Sequence, residues 1–219
     1  MLKYKCLVLD HDDTIVQTER AIGFPYFKSY IERIRPGKTL TFEEYIHDCN
    51  NMVFVEMCKE RWQFTDAESQ EEYLGWKQYC LDHIPPLCPG VANIIQKQKE
   101  LGGLVCVSSL STAEIIRRDF MHHIGFCPDA IYDNDLPSQR RKPNPYALVD
   151  IMQKFDLNEG EILVVDDMKL GWQMASACNI KFAFAGWSRP EFPEISKEME
   201  AISDYAFYHA DSLYEFLFG

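Results

Sequence analysis

The sequence predicts a doubly wound α/β fold with a mainly parallel sheet and a small helical domain inserted into it. Three observations lead to this prediction: short apolar strands alternate with helical segments, several strands are apolar throughout, and one long region has no strand pattern. Alternating strands and helices form βαβ units around a parallel sheet. Strands that are apolar throughout are expected where both faces of the sheet are covered.

Six short runs rich in β-branched or aromatic residues are predicted as strands. They are CLVLD (6–10), LVCVSS (104–109), AIYD (130–133), ILVVDD (162–167), KFAFAG (181–186) and the weaker YAFYHA (205–210). Helical segments lie between most of them, and the first, VANIIQKQKELGG, stops at glycines. Ser111 and Glu114 predict a capping box for the next helix, which ends at Gly125. Pro145 suits the first turn of the helix after it.

The region 16–86 interrupts this alternation, because it contains apolar residues at helical spacing and no strand pattern. Three helices are predicted within it, at 22–34, 42–62 and 66–84, with breakers at 36–38 and 85–86. The sequence therefore predicts a core formed by 1–15 and 87–219, with 16–86 inserted as a helical domain.

Composition and charge exclude several classes of protein. The net charge of −12 repels nucleic acids and anionic membranes, so neither is an expected partner. No apolar run approaches the roughly 18–20 residues that cross a bilayer, and the N-terminal apolar stretch lacks a signal-peptide cleavage site. Eight cysteines without a CxxC pair, and histidines without an HExxH pattern, argue against zinc. The expected protein is cytoplasmic, with reduced thiols.

Polar residues follow the predicted strands at the edge where parallel sheets bind ligands. They are Asp10, Asp12, Asp13 and Thr14 after the first strand, Ser108 and Ser109 after the second, Asp166 and Asp167 after the fourth, with Lys142 preceding the helix that leads to the fourth. Two carboxylates about 4 Å apart repel by roughly 4 kcal/mol at an effective dielectric constant near 20. The cluster therefore predicts a cation, and oxygen donors beside a substrate phosphate suit Mg²⁺.

Each of these residues has a simpler interpretation when taken alone. Asp10 can end a strand, Ser108 and Ser109 can be helix caps or loop hydroxyls, Lys142 a surface lysine and Asp166 an N-cap. Their joint occurrence, in this order and at strand ends, favours the functional interpretation.

The segment DHDDT at 10–14 resembles the DxDxT signature of the haloacid dehalogenase-like phosphatases. Ser108, the Lys142 of KPNP and the DD of 166–167 are similar to that superfamily's other three motifs, in the same order. The resemblance covers 1–15 and 87–219. The helices of 16–86 resemble the superfamily's helical cap only in position and character.

The resemblance implies a mechanism and a ligand set. Asp10 would be the nucleophile that forms an aspartyl-phosphate, and Asp12 would act first as general acid and then as general base. Lys142 would assist catalysis and, with Ser108 and Ser109, bind the phosphoryl oxygens of a small phosphorylated metabolite. The implied Mg²⁺ ligands are Asp10, the backbone carbonyl of Asp12, Asp166 and Asp167.

Two features depart from the family pattern. Val165 and Leu170 replace the glycine and the second aspartate of the GDxxxD form of the fourth motif, so Asp167 is the candidate substitute for that aspartate. His11 lies where relatives often carry a hydrophobic residue, and we expect it to pack or to support the site.

Other activities remain compatible with parts of the pattern. A dehalogenase is disfavoured because such relatives lack the aspartate found here at position 12. A phosphomutase uses the same core. A receiver-like phosphoacceptor domain would use an aspartate of YDNDL (132–136), although the insertion and DxDxT argue against it. A catalytically silent relative is disfavoured by the complete motif set.

Overall fold

The computed structural model describes residues 2–219 and divides into two compact units. The core unit comprises the chain up to Gln17 together with Leu87–Gly219, and the helical unit comprises Thr18–Pro86. Val16 pairs with Leu87 in an antiparallel bridge, and both residues belong to the core unit. Within residues 2–219, no helix combines the length and hydropathy needed to cross a bilayer.

The described chain forms ten α-helices and six strands. The helices are α1 (Phe24–Ile34), α2 (Phe42–Asn51), α3 (Phe54–Glu60), α4 (Asp66–Asp82), α5 (Val91–Glu100), α6 (Ala113–His123), α7 (Tyr146–Phe155), α8 (Lys169–Ser176), α9 (Pro193–Ile202) and α10 (Ala210–Phe218). The strands are β1 (Cys6–Leu9), β2 (Leu104–Ser108), β3 (Ala130–Tyr132), β4 (Ile162–Asp166), β5 (Lys181–Ala185) and β6 (Tyr205–Phe207).

The six strands form one parallel sheet in the order β3-β2-β1-β4-β5-β6, which confirms the predicted fold class. β1 lies at the centre, with Leu9 in register with Val107 of β2 and with Val165 of β4. The chain builds the sheet outward from β1 in both directions. The carboxyl ends of β1 and β4 therefore flank the point where the strand order reverses, which is where such sheets bind ligands.

Alternate strand residues pack on opposite faces of the sheet. Leu7, Leu9 and Val165 belong to a buried cluster that includes residues of α5, α6 and α10. Val8 and Val164 alternate with them and are also fully buried. Burial on both faces explains why these strands are apolar throughout.

The start of α6 differs from the sequence prediction. Thr112 rather than Ser111 is the N-cap residue, and no side-chain cap is formed there. The Ala113 N–H instead donates to a carboxylate oxygen of Asp133, at 2.8 Å, in the segment after β3. The capping box predicted from Ser111 and Glu114 is wrong because a carboxylate distant in sequence satisfies the first turn.

The helical unit buries an aromatic cluster. The ring of Phe27 lies 5.1–6.3 Å, between centroids, from the rings of Tyr45, Phe54, Trp62 and Phe64. Contacts between aromatic rings at such distances add to the stabilisation from burial.

Capping explains where the helices of this unit begin. Thr41 and Thr65 form capping boxes with Glu44 and Glu68 at the starts of α2 and α4. The single helix predicted over 42–62 is wrong, because Met52 is extended and separates α2 from α3. The preceding asparagines, at 50 and 51, favour the break because asparagine is a poor helix former.

Candidate active site

The turn after β1 carries both aspartates of the DxDxT motif, Asp10 and Asp12. The Asp10 N–H donates to the Val165 carbonyl at 2.9 Å, which ties the end of β1 to β4. Asp13 adopts a left-handed conformation with φ 54°, and the Ile15 N–H donates back to the His11 carbonyl at 2.9 Å. The chain thus reverses tightly at the carboxyl edge of the sheet, with Asp10 buried.

Lys142 is buried between two of the predicted site carboxylates. Its Nζ lies 2.8 Å from Asp10 Oδ1 and 2.6 Å from Asp166 Oδ2. Burial alone would lower the pKa of Lys142, but the two carboxylates outweigh it and raise that pKa. Burial raises the pKa of Asp10 to about 7, against the opposing effect of Lys142. Lys142 is therefore part of the site and is not a solvated surface lysine.

Three buried carboxylates meet at the junction of β1 and β4. Asp10, Asp166 and Asp167 each place one oxygen within 4.8 Å of the others. Asp166 Oδ1 also accepts the Met168 N–H at 2.8 Å, so this residue supports the chain entering α8 as well. An all-oxygen donor set of this kind suits a hard divalent cation such as Mg²⁺.

Gly171 permits the Asp166 carboxylate to occupy its position. A β-carbon added at residue 171 would lie 2.2 Å from Asp166 Oδ2, closer than atoms can approach. The first turn of α8 therefore packs directly against a site carboxylate, and only glycine fits there without displacing it.

Sequence reasoning missed Arg189, a buried cation at this site. One terminal nitrogen of Arg189 lies 2.8 Å from Asp167 Oδ2, and its Nε lies 3.4 Å from Asp13 Oδ2. The Thr14 hydroxyl donates to the other oxygen of Asp167, at 3.4 Å. Burial raises the pKa of Asp167 to about 7, although Arg189 opposes that shift. The only sequence signal was an arginine after the fifth strand, at the same edge of the sheet as the motifs.

The loop that carries Arg189 also holds the motif turn. The Ser188 hydroxyl donates to the Asp13 carbonyl, and Trp187 Nε1 donates to the Thr14 carbonyl at 3.1 Å. These contacts connect the segment after β5 to the turn after β1. Their acceptors are backbone carbonyls, which every residue carries, so the sequence gives no signal for them.

The Asp12 carboxylate lies outside the group formed by Asp10, Asp166 and Asp167. Its Oδ1 is 3.2 Å from His11 Nδ1, and its Oδ2 accepts a hydrogen bond of 3.4 Å from the Ser109 hydroxyl. Burial would lower the pKa of His11, but Asp12 and Asp119 outweigh it and raise that pKa to about 9. His11 is fully buried, between Asp12 and Asp119.

The two predicted phosphate-binding serines are both buried at the end of β2. The Ser108 hydroxyl lies 3.6 Å from the Met174 sulfur, and the Ser109 hydroxyl accepts the Ser111 N–H at 3.1 Å. Ser109 therefore acts as a loop hydroxyl as well as a contact of Asp12.

The charges of the site leave room for a divalent cation. Four aspartates, at 10, 13, 166 and 167, pair with two basic side chains, Lys142 and Arg189, and Asp12 contacts His11. A protonated His11 adds one further positive charge but also contacts Asp119. The excess of negative charge at a buried site is the electrostatic condition that a bound cation relieves.

The comparisons with known proteins agree with this geometry. A family model described as haloacid dehalogenase-like hydrolase matches residues 7–185. No curated protein matches the sequence.

Several solved structures share the fold at low sequence identity. CbbY from Rhodobacter sphaeroides, solved in complex with phosphate, is 15% identical with a TM-score of 0.74, covering 96% of both chains. A predicted phosphoglycolate phosphatase from Haemophilus somnus is 15% identical with a TM-score of 0.76, covering 99% of both chains. A conserved haloacid dehalogenase-like protein from Agrobacterium tumefaciens is 14% identical with a TM-score of 0.79, covering 97% of both chains.

Proposed function

Because the chain belongs to the haloacid dehalogenase-like hydrolase family, we propose that it is a Mg²⁺-dependent phosphohydrolase acting on a small phosphate monoester. One observation carries the proposal: buried Asp10 and Asp166 share the Lys142 ammonium at the point where the strand order reverses. Nucleophile, metal ligand and phosphate-binding cation are the three groups that phosphoryl transfer requires in one place.

In the proposed reaction, an Asp10 carboxylate oxygen attacks phosphorus and the ester P–O bond breaks, giving an aspartyl-phosphate. Asp12 donates a proton to the departing alcohol oxygen. A water molecule then attacks the aspartyl-phosphate, Asp12 takes a proton from that water, and inorganic phosphate leaves with Asp10 regenerated. The Asp12 carboxylate lies apart from the three-carboxylate group, and its contacts with His11 and Ser109 hold its orientation.

Asp10, Asp166 and Asp167 would hold Mg²⁺ through carboxylate oxygens, and Asp12 through its backbone carbonyl. When bound, the ion supplies positive charge that offsets repulsion among these carboxylates and the phosphoryl oxygens. Lys142, Ser108 and Ser109 would bind the phosphoryl group, with Lys142 compensating charge as it develops.

The proposal is tested with the purified full chain and a panel of small phosphate esters, with and without Mg²⁺. We expect Mg²⁺-dependent release of inorganic phosphate from at least one ester, with repeated turnover. Formation of an isomeric sugar phosphate would identify a phosphomutase. Stoichiometric labelling by acetyl phosphate without turnover would identify a phosphoacceptor domain. No reaction with any of these compounds would contradict the proposed function.

We further propose that the helical unit selects the substrate and contributes little to the chemistry, since every motif residue lies in the core unit. Replacing residues 18–86 by a short loop should leave slow, Mg²⁺-dependent hydrolysis of a small activated ester. Discrimination among natural esters should be lost, because a domain of this kind completes the pocket and excludes water. A folded core unit that keeps the full-length substrate ranking would contradict this assignment.

A further inference from the structure

His11 lies between two carboxylates that come from different parts of the core unit. It is fully buried, with Nδ1 3.2 Å from Asp12 Oδ1 and Nε2 3.2 Å from Asp119 Oδ2. His11 Nε2 and Asp119 Oδ2 are close enough for an ion pair, but their orientation does not meet the criteria for a hydrogen bond. Asp119 belongs to α6 and is itself 1% exposed. Asp12 lies in the turn after β1 and Asp119 lies in α6, so the imidazole ring of His11 links two separate elements.

Asp119 is held from its other side. Arg118 Nε donates to Asp119 Oδ1 at 2.8 Å, and a terminal nitrogen of Arg118 lies 2.6 Å from the same oxygen. The remaining oxygen of Asp119 faces His11. A buried carboxylate fixed in this way is a rigid support, because rotating it would break charge-assisted contacts in a low-dielectric environment.

We propose that His11, braced by Asp119, is a positioning residue that fixes the Asp12 carboxylate for proton transfer. The inference rests on the proposed function, which assigns acid–base catalysis to Asp12. His11 contacts Oδ1 of Asp12 while the Ser109 hydroxyl contacts Oδ2, so both oxygens of one carboxylate are held. An apolar residue at position 11 removes one of these contacts. Small displacements of a catalytic group cost large factors in rate, so fixed orientation matters for this role.

The expected signature is a dependence on the leaving group. An alkyl phosphate needs a proton from Asp12 as its P–O bond breaks, whereas 4-nitrophenyl phosphate departs as a stable anion. His11→Leu should lower kcat/KM for an alkyl phosphate about tenfold or more, part of the factor that general acid catalysis supplies. The same variant should lower kcat/KM for 4-nitrophenyl phosphate by less than about threefold. The plot of log kcat/KM against leaving-group pKa therefore becomes steeper.

A double-mutant cycle tests whether Asp119 acts through His11. Asp119→Leu should steepen the same plot. The double variant of Asp119→Leu and His11→Leu should have the same kcat/KM for the alkyl phosphate as His11→Leu alone. His122→Leu is the matched control, because His122 is an exposed histidine on α6 and should leave the plot unchanged. Should His11→Leu fail to fold, His11→Gln retains a polar side chain and should steepen the plot to a smaller extent.

A measurement independent of activity uses metal-free protein with ¹⁵N-labelled histidine. Asp119→Asn should shift the Nδ1–H resonance of His11, although the substituted residue faces the other nitrogen. Any of three results would overturn the inference. The first is an equal loss of kcat/KM for all leaving groups in His11→Leu, and the second is additive effects of His11→Leu and Asp119→Leu. The third is a His11 Nδ1–H resonance that does not move in Asp119→Asn. Wild-type protein that hydrolyses no ester contradicts the proposed function, and the catalytic role of His11 with it. The resonance shift would then still report the contact, which separates the two failures.

Discussion

The core unit and the helical unit both bury carboxylates, but among the residues that the structure describes only the core unit pairs them closely with cations. Asp10 and Asp166 lie within 3 Å of Lys142, and Asp167 within 3 Å of Arg189. In the helical unit Glu72 is 5% exposed, and its Oε1 has no hydrogen-bond partner within the described residues. Burial is the cause that raises the pKa of Glu72 from 4.5 to about 7.

Burial raises the pKa of Asp10 and Asp167, as it raises that of Glu72. In the core unit Lys142 and Arg189 oppose the rise and offset part of the cost of burying the charge. In the helical unit burial acts on Glu72 without an opposing cation. The predictions below test this contrast, starting from the largest effect.

The largest effect is expected for Asp10→Asn in the core unit. The amide has nearly the same size but is a very poor nucleophile, so kcat should fall by about a thousandfold or more. Burial already disfavours charge on Asp10, so the free energy of unfolding should not decrease much. Steady-state phosphate release and urea unfolding measure the two quantities. Turnover within tenfold of wild type would show that Asp10 is not the nucleophile.

The adjacent aspartates should differ in their effect on metal dependence. Asp166→Ala removes the carboxylate shared with Lys142 and should abolish activity or strongly raise the Mg²⁺ concentration for half-maximal rate. Asp167→Ala should do so less, since Arg189 and Thr14 already contact that carboxylate. Mg²⁺ titrations of initial rate provide the comparison. The opposite order of severity would mean that the fourth motif is assigned one residue out of register.

Gly171→Ala should reduce activity by about tenfold to a hundredfold, because the added methyl group displaces the Asp166 carboxylate. The Mg²⁺ requirement should rise in parallel, as it does for loss of a metal ligand. Gly160→Ala is the matched control, since its nearest contact is the Asn158 side chain at 3.3 Å, far from the site. If both variants behave like wild type in Mg²⁺ titrations, Gly171 does not support the site.

The smallest effect concerns Glu72 and appears as pH-dependent stability. The folded state holds a proton on Glu72 up to about pH 7, whereas the unfolded chain releases it near pH 4.5. The helical unit should therefore lose stability as the pH rises from about 4.5 to about 7, with no further loss from this group above that range.

Glu72→Gln cannot ionise and should flatten this dependence. It should raise the free energy of unfolding at pH 8 by about 1–3 kcal/mol relative to wild type, with little gain at pH 5. Urea unfolding followed by tryptophan fluorescence measures the change, since two of the four tryptophans, Trp62 and Trp76, lie in the helical unit. Glu71→Gln is the control, because Glu71 is largely exposed and pairs with Arg33. Equal pH dependence in all three proteins would show that Glu72 is not the titrating group.

The parts of the molecule that the sequence predicts best are those with local signals. All six predicted strands are present: the first five end one residue before the predicted limit, and β6 ends three residues before it. The signal is strongest in β1 and β4, because burial on both faces makes these strands apolar. The order of the motifs along the chain predicted that Asp10, Lys142 and Asp166 meet, since parallel strands place their carboxyl ends at one edge. Roles in catalysis, for these and the other motif residues, stay predictions until activity is measured.

Contacts between segments distant in sequence were not predictable. Arg189 reaches Asp167 and Asp13 from the loop after β5, and no pattern within that loop marks it. Asp119 lies on a helix face that looks like an ordinary core-facing position until the fold places it beside His11. The same limit explains the start of α6, where Asp133 replaces a local cap.

The bridge between Val16 and Leu87, reinforced by a 2.8 Å hydrogen bond from the Cys88 N–H to the Ile15 carbonyl, has a consequence for chain entropy. β1 and β2 are hydrogen-bonded neighbours, yet Cys6 pairs with Leu104 across the whole insertion. Closing a flexible loop costs more as it lengthens, by about 0.6 kcal/mol for each doubling. A stem that joins the two ends of the insertion closes this loop, so the entropic cost of the long excursion falls on the stem. Once the stem has formed, pairing β1 with β2 closes only the shorter segments between the stem and the strands.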